Sequence, residues 1–368
     1  MPDDTRSVGP ALRLFLWSRA AFWLLAIVAV TVFDGALNVR RGEWDSARLH
    51  DLGPALDVWS RWDSDWFLKI AEQGYSWPSS TPAFFPLYPL LVAAAGRLLL
   101  GHYVLAGTLV SLGTGGAAFV LLYRLTQAQL GEAVAQRTVL FLALAPTSLF
   151  FGAVYSESLF LLLAVGMFVA AERGKFLPAA FLCGFALLTR SAGVALLPAL
   201  LVMAWQAPDR RRALGRVSVA PLIFAIYPMV LALWIGRPLA FLDAQKVVWE
   251  RRLSPAGPLG GLVAALQHRD LVDLGVALAL IVLGVLAWLW LGAPYGLYTL
   301  LSVALPLTFV SDKVPLWSMQ RFAIVVFPAF MVLGLLVRRR AAVLGVATIL
   351  AALSCANVVR WALWYWVA

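Results

Sequence analysis

Charged residues are scarce in this sequence: Asp, Glu, Lys and Arg make up 13% of its 368 residues, whereas 62% are hydrophobic. Soluble globular domains carry about twice that share of charge, so that class of protein is excluded. Apolar runs of roughly 20 residues recur from end to end, the length at which a helix crosses a bilayer with its backbone bonds satisfied internally. The ten-residue alternation of an outer-membrane barrel is lacking. The composition therefore predicts an all-α polytopic membrane protein.

Cysteine and histidine are also rare. Cys183 and Cys355 both lie in apolar runs, so neither a disulfide framework nor a redox compartment is indicated. His50, His102 and His268 are far apart and lack the spacing of metal ligands. We therefore predict no cofactor and no histidine-based metal site.

Acidic residues are outnumbered: 29 Lys and Arg stand against 19 Asp and Glu, a net charge of +10. In a polytopic protein this excess is typical of cytoplasmic loops, which set topology and contact anionic lipid heads, and it does not require nucleic acid as a partner. Residues 14–33 are interpreted as an uncleaved first span with a cytoplasmic N-terminus, since the run has no clear small-residue cleavage site. Residues 34–82 lack a run that could cross and are net acidic, which favours the outer face.

The stretch 84–100 decides the side of every later loop. As a helix in the outer interface, it leaves eleven basic residues and three acidic residues in cytoplasmic loops, which is the positive-inside pattern. The opposite parity would place the arginine clusters 210–212 and 338–340 outside. We therefore predict an interfacial helix here. The predicted later spans are 102–123, 139–151, 159–171, a broken pair within 176–205, 217–235, 271–291, 295–310, 322–337 and 341–364.

The charge count also requires the break within 176–205, where two short segments meet at Thr189, Arg190 and Ser191 and place Arg190 at the outer membrane face. No internal repeat or separate soluble domain is found. We predict a single membrane-embedded domain, 1–368, of about eleven helices. Its first extracytoplasmic loop is 34–101 with interfacial helices, and its second large outer loop is 236–270. The expected location is the cell inner (plasma) membrane, with the active site on the extracytoplasmic face.

The stretch 61–89, RWDSDWFLKIAEQGYSWPSSTPAFFPLYP, combines acids and aromatic residues in the first outer loop. Under the predicted topology it shares the outer face with polar helix ends, where charges are costly unless paired or functional. Carboxylates can deprotonate a hydroxyl nucleophile, and arginines can hold a departing phosphate, so the set indicates sugar transfer from a lipid phosphate. The predicted catalytic residues are Asp63, Asp65 and Glu157, and the predicted substrate-binding residues are Arg61, Tyr88, Tyr155, Arg190, Ser191, Gln245, Trp249, Gln320 and Arg321.

These residues have structural interpretations as well. A loop aspartate can cap a helix, Glu157 can pair with an arginine, and a terminal arginine can anchor a helix end at lipid heads. Two oxygens from the Asp63-x-Asp65 loop are too few to predict a divalent metal. Two further groups are expected to be an interfacial belt and a solvated or lipid-facing surface, respectively. These are Trp62, Trp66 and Trp77 for the belt, and Lys246, Arg251 and Arg252 for the surface.

Five motifs occur in a fixed order: RWDSDWFLKIAEQGY, FFPLYPLL, YSES, LLTRSAG and SMQRF. In this order they resemble the bacterial branch of the phosphatidylinositol-glycan class V (PIG-V) mannosyltransferase family, relatives of GPI mannosyltransferase II. The resemblance covers about residues 61–328. RWD with FFPLYP is its most specific part, while LTRS and the Gln-Arg-Phe element count only through their order.

The resemblance implies a GT-C type glycosyltransferase fold, whose first large outer loop carries an essential acid and membrane-parallel helices. It also implies a polyprenyl-phosphate sugar donor, with mannose as the expected hexose, and transfer with inversion. Asp63 becomes the general base, and Arg190 and Arg321 fall in motifs expected near the donor head. Ala192 departs from the family pattern, where a polar residue, often Asn, is expected. The acceptor, a glycan, lipid or protein, is not inherited from the eukaryotic name.

Two other classes of function remain open. A transporter or flippase of lipid-linked sugars would show inverted repeats and polar groups at mid-membrane depth, whereas the ionisable groups here collect at one face. A structural subunit of an envelope complex would make the same cluster incidental. The hypothesis favoured by the sequence is the glycosyltransferase.

Overall fold

The computed structural model describes residues 8–247, 249–311 and 314–367. These residues are mostly helical, with one two-stranded sheet, so the predicted all-α class is confirmed. The helices are α1 (Val8–Val32), α2 (Pro54–Asp57), α3 (Ser64–Gln73), α4 (Leu87–Leu98), α5 (Tyr103–Leu130), α6 (Glu132–Ala143), α7 (Glu157–Glu172), α8 (Phe176–Leu187), α9 (Leu196–Trp205), α10 (Arg210–Val217), α11 (Val219–Phe224), α12 (Ile226–Ile235), α13 (Ala240–Val247), α14 (Pro258–Gln267), α15 (Leu271–Trp290), α16 (Ala293–Thr308), α17 (Met319–Ala323), α18 (Phe327–Leu336) and α19 (Arg340–Ala362). The strands are β1 (Arg251–Leu253) and β2 (Phe309–Ser311).

Among the described residues, five helical segments are long and apolar enough to cross a bilayer. They expose large apolar side chains, such as Trp17 at 74% and Leu233 at 82%, as lipid contact requires. The chain is therefore a multi-pass membrane protein. The count of about eleven spans stays a prediction, because the other apolar helices have 10–17 residues. The five segments are Gly9–Val32, Tyr103–Leu130, Arg210–Ile235, Leu271–Trp290 and Arg340–Ala362.

The predicted break within 176–205 is confirmed: α8 and α9 are separate helices. Between them Arg190 is extended, with φ −156° and ψ 151°, and a short 3-10 turn covers Ser191–Ala195. Gly193 makes this turn possible, since a Cβ there would lie 2.8 Å from the backbone of Ala186. The LLTRSAG motif is thus a sharp bend that lifts Arg190 out of the helix.

Two predicted spans are wrong in their bounds. The span 139–151 is not continuous, because α6 ends at Ala143 and a separate 3-10 turn follows at Ser148–Phe151. Pro146 between them has no N–H to donate and disfavours helix in the residue before it. The span 322–337 is likewise divided into α17 and the ten-residue α18, with Pro328 in the first turn of the second helix.

The described residues form two compact units. In the first (8–74, 88–162 and 333–367), α1 packs against α5, α6 and α19. Gly115 lets α5 approach closely, since a Cβ there would lie 2.7 Å from the Phe15 ring. Buried Arg19 of α1 donates hydrogen bonds to the carbonyls of Ala143, at 3.0 Å, and Ser148. The Arg19 guanidinium thereby supplies hydrogen-bond donors to backbone carbonyls at and just after the C-terminal end of α6.

In the second unit (75–87, 163–247, 249–311 and 314–332), α15 pairs with α16, and α16 packs on α9 and α14. The segment 236–270, predicted as the second large outer loop, contains α13, β1 and α14. β1 pairs antiparallel with β2, and Arg251 lies opposite Ser311. The sheet ties the middle of this loop to the chain that leaves α16.

Candidate active site

The RWD segment of the first unit is fixed by a tyrosine from the YSES motif. The backbone N–H of Asp63 donates to the Tyr155 hydroxyl at 3.0 Å, and that hydroxyl donates to the carbonyl of Arg61 at 3.3 Å. Tyr155 is fully buried and Asp63 is 4% exposed. In α3, which lies wholly within the described residues, the Asp63 side chain makes no capping hydrogen bond. The carboxylate is therefore positioned at the start of α3 without serving as its cap.

The residue between these two contacts is in an unusual conformation. Trp62 has φ +53°, in the left-handed region that a bulky side chain rarely adopts. Its indole contacts those of Trp44, Trp364 and Trp366, with ring centroids 5.3 to 5.9 Å apart. Trp62 is 7% exposed, so its assignment to an interfacial belt was wrong. Its aromatic partners are distant in the sequence, which is why local hydropathy did not reveal the burial.

A second hydrogen-bonded path joins two more motifs. The Tyr88 hydroxyl of FFPLYP lies 2.8 Å from Ser111 Oγ and 3.1 Å from the Gly107 carbonyl, and Ser111 donates to the Tyr155 carbonyl at 3.1 Å. The Phe67 ring stands edge-on to both tyrosine rings. Both hydroxyls thus have protein partners, and substrate contact by Tyr88 or Tyr155 stays a prediction. Their observed contacts hold three motifs together.

Asp65 lies in a network of its own. Arg48 Nη1 contacts the Asp65 carboxylate at 2.7 Å, while Arg48 Nε contacts Glu72 at 3.1 Å. Ser46 donates to the same Asp65 oxygen. This network fastens α3 to the 3-10 turn Ala47–Leu49, so Asp65 has a positioning role that the sequence did not indicate.

Arg61 and Glu157 are buried in the same unit. The Arg61 guanidinium carbon lies 4.2 Å from the centroid of the Trp364 ring. Burial lowers the pKa of Arg61 to about 10, although the negative charges of Asp45 and Asp57 raise it. Glu157 is fully buried in the first turn of α7, where the helix dipole favours a carboxylate.

In the second unit, arginines surround one aromatic ring of the SMQRF motif. The guanidinium carbons of Arg190 and Arg321 both lie 5.6 Å from the centroid of the Phe322 ring. The LLTRSAG and SMQRF motifs, far apart in sequence, therefore meet at Phe322. Arg190 reaches the ring because the bend before Ser191–Ala195 releases it from α8.

A third arginine shares this ring. Arg251 lies 6.0 Å from the Phe322 centroid and is only partly exposed, so its assignment to a solvated or lipid-facing surface was wrong. Arg251 is partly buried in the paired strand β1, while Arg252 and Leu253 are exposed. Lys246 is exposed, as predicted.

The other predicted binding residues of this unit surround the arginines. Gln245 Oε1 accepts from Arg251 at 3.4 Å, and Trp249 packs edge-on against Trp317. Gln320 donates to Asp273 of α15 at 2.9 Å, which fixes α17. Ser191 is exposed at the start of its turn.

The structure thus brings Asp63, Tyr155 and Tyr88 together in the first unit, and Arg190, Gln245 and Arg321 together in the second. Sequence reasoning missed Ser111, Arg48 and Trp364 in the first. Each is a single residue within an apolar or weakly patterned stretch and carries no motif of its own. In the second unit, sequence reasoning missed Arg251. It lies in a charged segment with Lys246, Glu250 and Arg252, which marked the segment as a candidate site, but only the pairing of β1 with β2 distinguishes Arg251 from these neighbours.

Within residues 8–247, 249–311 and 314–367, no group of three or more His, Cys, Asp or Glu side chains is arranged to hold a metal ion. That the protein requires no metal stays a prediction.

Comparison with known proteins gives a family match. Residues 52–207 match the family model described as mannosyltransferase (PIG-V). The resemblance inferred from the motifs is thereby confirmed over this segment, which contains the RWD, FFPLYP, YSES and LLTRSAG motifs. Gln245, Trp249, Gln320 and Arg321 lie outside it, and the bacterial origin stays a prediction.

The curated relatives that match are also mannosyltransferases by name. GPI alpha-1,6-mannosyltransferase 2 of Homo sapiens is 32% identical over 145 residues, which is 37% of this chain and 29% of that protein. The Mus musculus protein of the same name is 33% identical over 152 residues, 39% of this chain and 31% of that protein. The chain thus aligns with less than a third of the length of these relatives. Among solved structures, the Archaeoglobus fulgidus oligosaccharyltransferase has a TM-score of 0.43 and 14% identity, covering 94% of this chain and 53% of that one.

Proposed function

We propose that this chain, whose residues 52–207 match the PIG-V mannosyltransferase family, transfers a hexose from a polyprenyl-phosphate sugar to an extracytoplasmic acceptor. Mannose is the expected hexose, and the transfer inverts the anomeric configuration. The family match supports glycosyl transfer, and the acidic loop together with the basic cytoplasmic loops supports an outward-facing site in the plasma membrane.

The observation that carries the proposal is the attachment of the RWD segment to Tyr155. One buried hydroxyl contacts the backbone on both sides of Trp62, at the Arg61 carbonyl and the Asp63 N–H. Trp62 is held there with φ +53°. Such strained backbone costs about 1 to 3 kcal/mol and tends to occur where a site must be rigid. A buried aspartate whose backbone is held in this way is suited to act as a general base.

The chemistry assigns one role to each group. Asp63 takes the proton of the acceptor hydroxyl as its oxygen attacks the anomeric carbon of the sugar. The bond from that carbon to the phosphate oxygen breaks, and its electron pair stays on the phosphate. Arg190 and Arg321 hold this phosphate as its charge increases, because guanidinium groups make strong charge-assisted hydrogen bonds to phosphate oxygens. Asp65 positions α3 through its contact with Arg48, and Glu157 is assigned to orienting the acceptor or the arginines.

A transfer assay tests the proposal. Purified protein in detergent or liposomes is given labelled polyprenyl-phosphate mannose with a membrane lipid extract as acceptor, for wild type and Asp63→Asn. We expect a labelled product of inverted configuration with wild type and a rate lower by about 10² to 10⁴ in the variant, as for loss of a general base. Both proteins should melt at similar temperatures. Normal turnover by Asp63→Asn contradicts the assignment of the base, and lack of transfer by wild type with any polyprenyl-phosphate hexose contradicts the function.

A further inference from the structure

Three arginines from three separate parts of the second unit converge on the Phe322 ring. Arg190 comes from the bend between α8 and α9, Arg251 from β1 and Arg321 from α17. Their guanidinium carbons all lie within 6.0 Å of the ring centroid. An aromatic face attracts each cation, but three like charges at one ring also repel each other. Such a cluster is suited to an anion of more than one negative charge.

The orientation of Arg251 is set by protein contacts. Its Nη2 donates to the Trp317 carbonyl at 3.2 Å, and its Nη1 donates to Gln245 at 3.4 Å. The pairing of Arg251 with Ser311 holds its backbone. A long side chain fixed at its backbone and at two nitrogens loses little further entropy when a ligand binds.

We propose that Arg251 is the residue that recognises the second negative charge of the lipid phosphate, and so favours the phosphate monoester over the diester. This inference rests on the proposed function. The donor is a phosphodiester with one negative charge. When the bond from the anomeric carbon to oxygen breaks, the electron pair remains on the phosphate, which becomes a monoester of up to two negative charges, while the acceptor proton passes to Asp63. Two arginines suffice for the donor, and a third stabilises the charge that appears during transfer.

The same assignment gives the segment 236–270, which contains β1, a role in phosphate recognition. Arg251 of β1 lies at the ring, whereas the side chain of the neighbouring Arg252 is exposed. Arg252 therefore provides a matched control: it has the same charge and lies in the same strand, but its side chain is exposed.

The test measures, by calorimetry, the binding of two probes to the full-length protein in detergent. The probes are farnesyl phosphate, a monoester, and farnesyl methyl phosphate, a diester. We expect Arg251→Gln to weaken binding of the monoester about tenfold and binding of the diester less than threefold, as for loss of one charge-assisted contact. Arg252→Gln should change neither. Equal losses for both probes, or equal behaviour of the two variants, would overturn the proposal.

Arg251→Lys separates charge from structure, because Arg251 also supports Gln245 and Trp317. If the charge matters, the lysine variant keeps most of the monoester affinity. If Arg251 only holds the loop in place, the lysine variant loses monoester affinity as the glutamine variant does, because a lysine cannot make both hydrogen bonds of Arg251. That result would contradict the proposal.

The outcome is distinguishable from that of the transfer assay. Mannose transfer by wild type together with no Arg251 dependence of monoester binding contradicts this inference and leaves the proposed function standing. Monoester binding that depends on Arg251, without transfer of any hexose, contradicts the function and leaves an anion site. A transfer-competent protein should also show kcat reduced more than KM for the donor in Arg251→Gln.

Discussion

The hydroxyl of Tyr155 accepts a hydrogen bond from the backbone N–H of Asp63 at 3.0 Å, across 92 residues of sequence. The contact joins the YSES motif to the RWD motif. The tyrosine thereby holds the backbone of the aspartate at the start of α3. Tyr155 is therefore a positioning residue for the proposed base.

Replacing Tyr155 by phenylalanine should lower both stability and turnover. The Asp63 N–H would be left buried without its partner, at a cost of about 1 to 3 kcal/mol in the free energy of unfolding. The loop would also lose the contact that keeps Trp62 in its left-handed conformation, and kcat should fall about tenfold or more through misplacement of Asp63. Melting in detergent and the transfer assay measure the two effects. Tyr365→Phe is the control, because Tyr365 is 41% exposed. Equal behaviour of the two variants would contradict the positioning role.

Gly115 offers a test of helix packing in the first unit. A Cβ at this position would lie 2.7 Å from Phe15 and 2.8 Å from Ser158 Oγ, so Gly115→Ala should destabilise the fold by about 1 to 3 kcal/mol. Gly113, on the same helix, meets nothing within 4 Å among the described residues. Gly113→Ala should be neutral or slightly stabilising, since alanine is the better helix former. Thermal unfolding of both variants measures the difference, and equal melting temperatures would show that α5 does not approach α1 this closely.

Local features of the fold were predictable from the sequence. The broken helix at Arg190 followed from charge counting, and the long apolar helices followed from hydropathy, because both depend on residues close together in the chain. The ends of α6 and the division at α17 were not predicted. Pro146 and Pro328 are local signals that the hydropathy of these apolar runs concealed, whereas the contact of Arg19 with the end of α6 comes from another helix.

The sequence indicated candidate site residues by their chemical type but did not indicate their geometry. Asp63, Arg190 and Arg321 were selected because charges are costly beside a membrane. The sequence did not predict the burial of Trp62 or the partial burial of Arg251. Trp62 depends on aromatic partners near the other end of the chain, and a three-residue strand such as β1 is too short to show a periodicity.

Chelation of metals should leave transfer intact. The proposed function assigns the positive charge opposite the departing phosphate to the arginines at Phe322, so it needs no metal ion for that role. Transfer should therefore proceed at the same rate after treatment with EDTA and removal of the chelator. A rate that disappears with EDTA and returns with added Mg²⁺ or Mn²⁺ would contradict the metal-free prediction and would direct attention to Asp63 and Asp65 as ligands.

Asp65 and Asp63 should differ in the way that they fail. Asp65 contacts Arg48 at 2.7 Å in a partly buried pair with side-chain exposures of 21% and 18%, whereas Asp63 has no part in that pair. Asp65→Asn should therefore lower stability while retaining measurable transfer, in contrast to Asp63→Asn. A double-mutant cycle with Arg48→Gln measures the coupling, which we expect to be about 1 kcal/mol, because Glu72 remains as a second partner for Arg48. A coupling near zero would show that the pair does not fasten α3. Loss of transfer as complete as in Asp63→Asn, without loss of stability, would instead make Asp65 a catalytic residue.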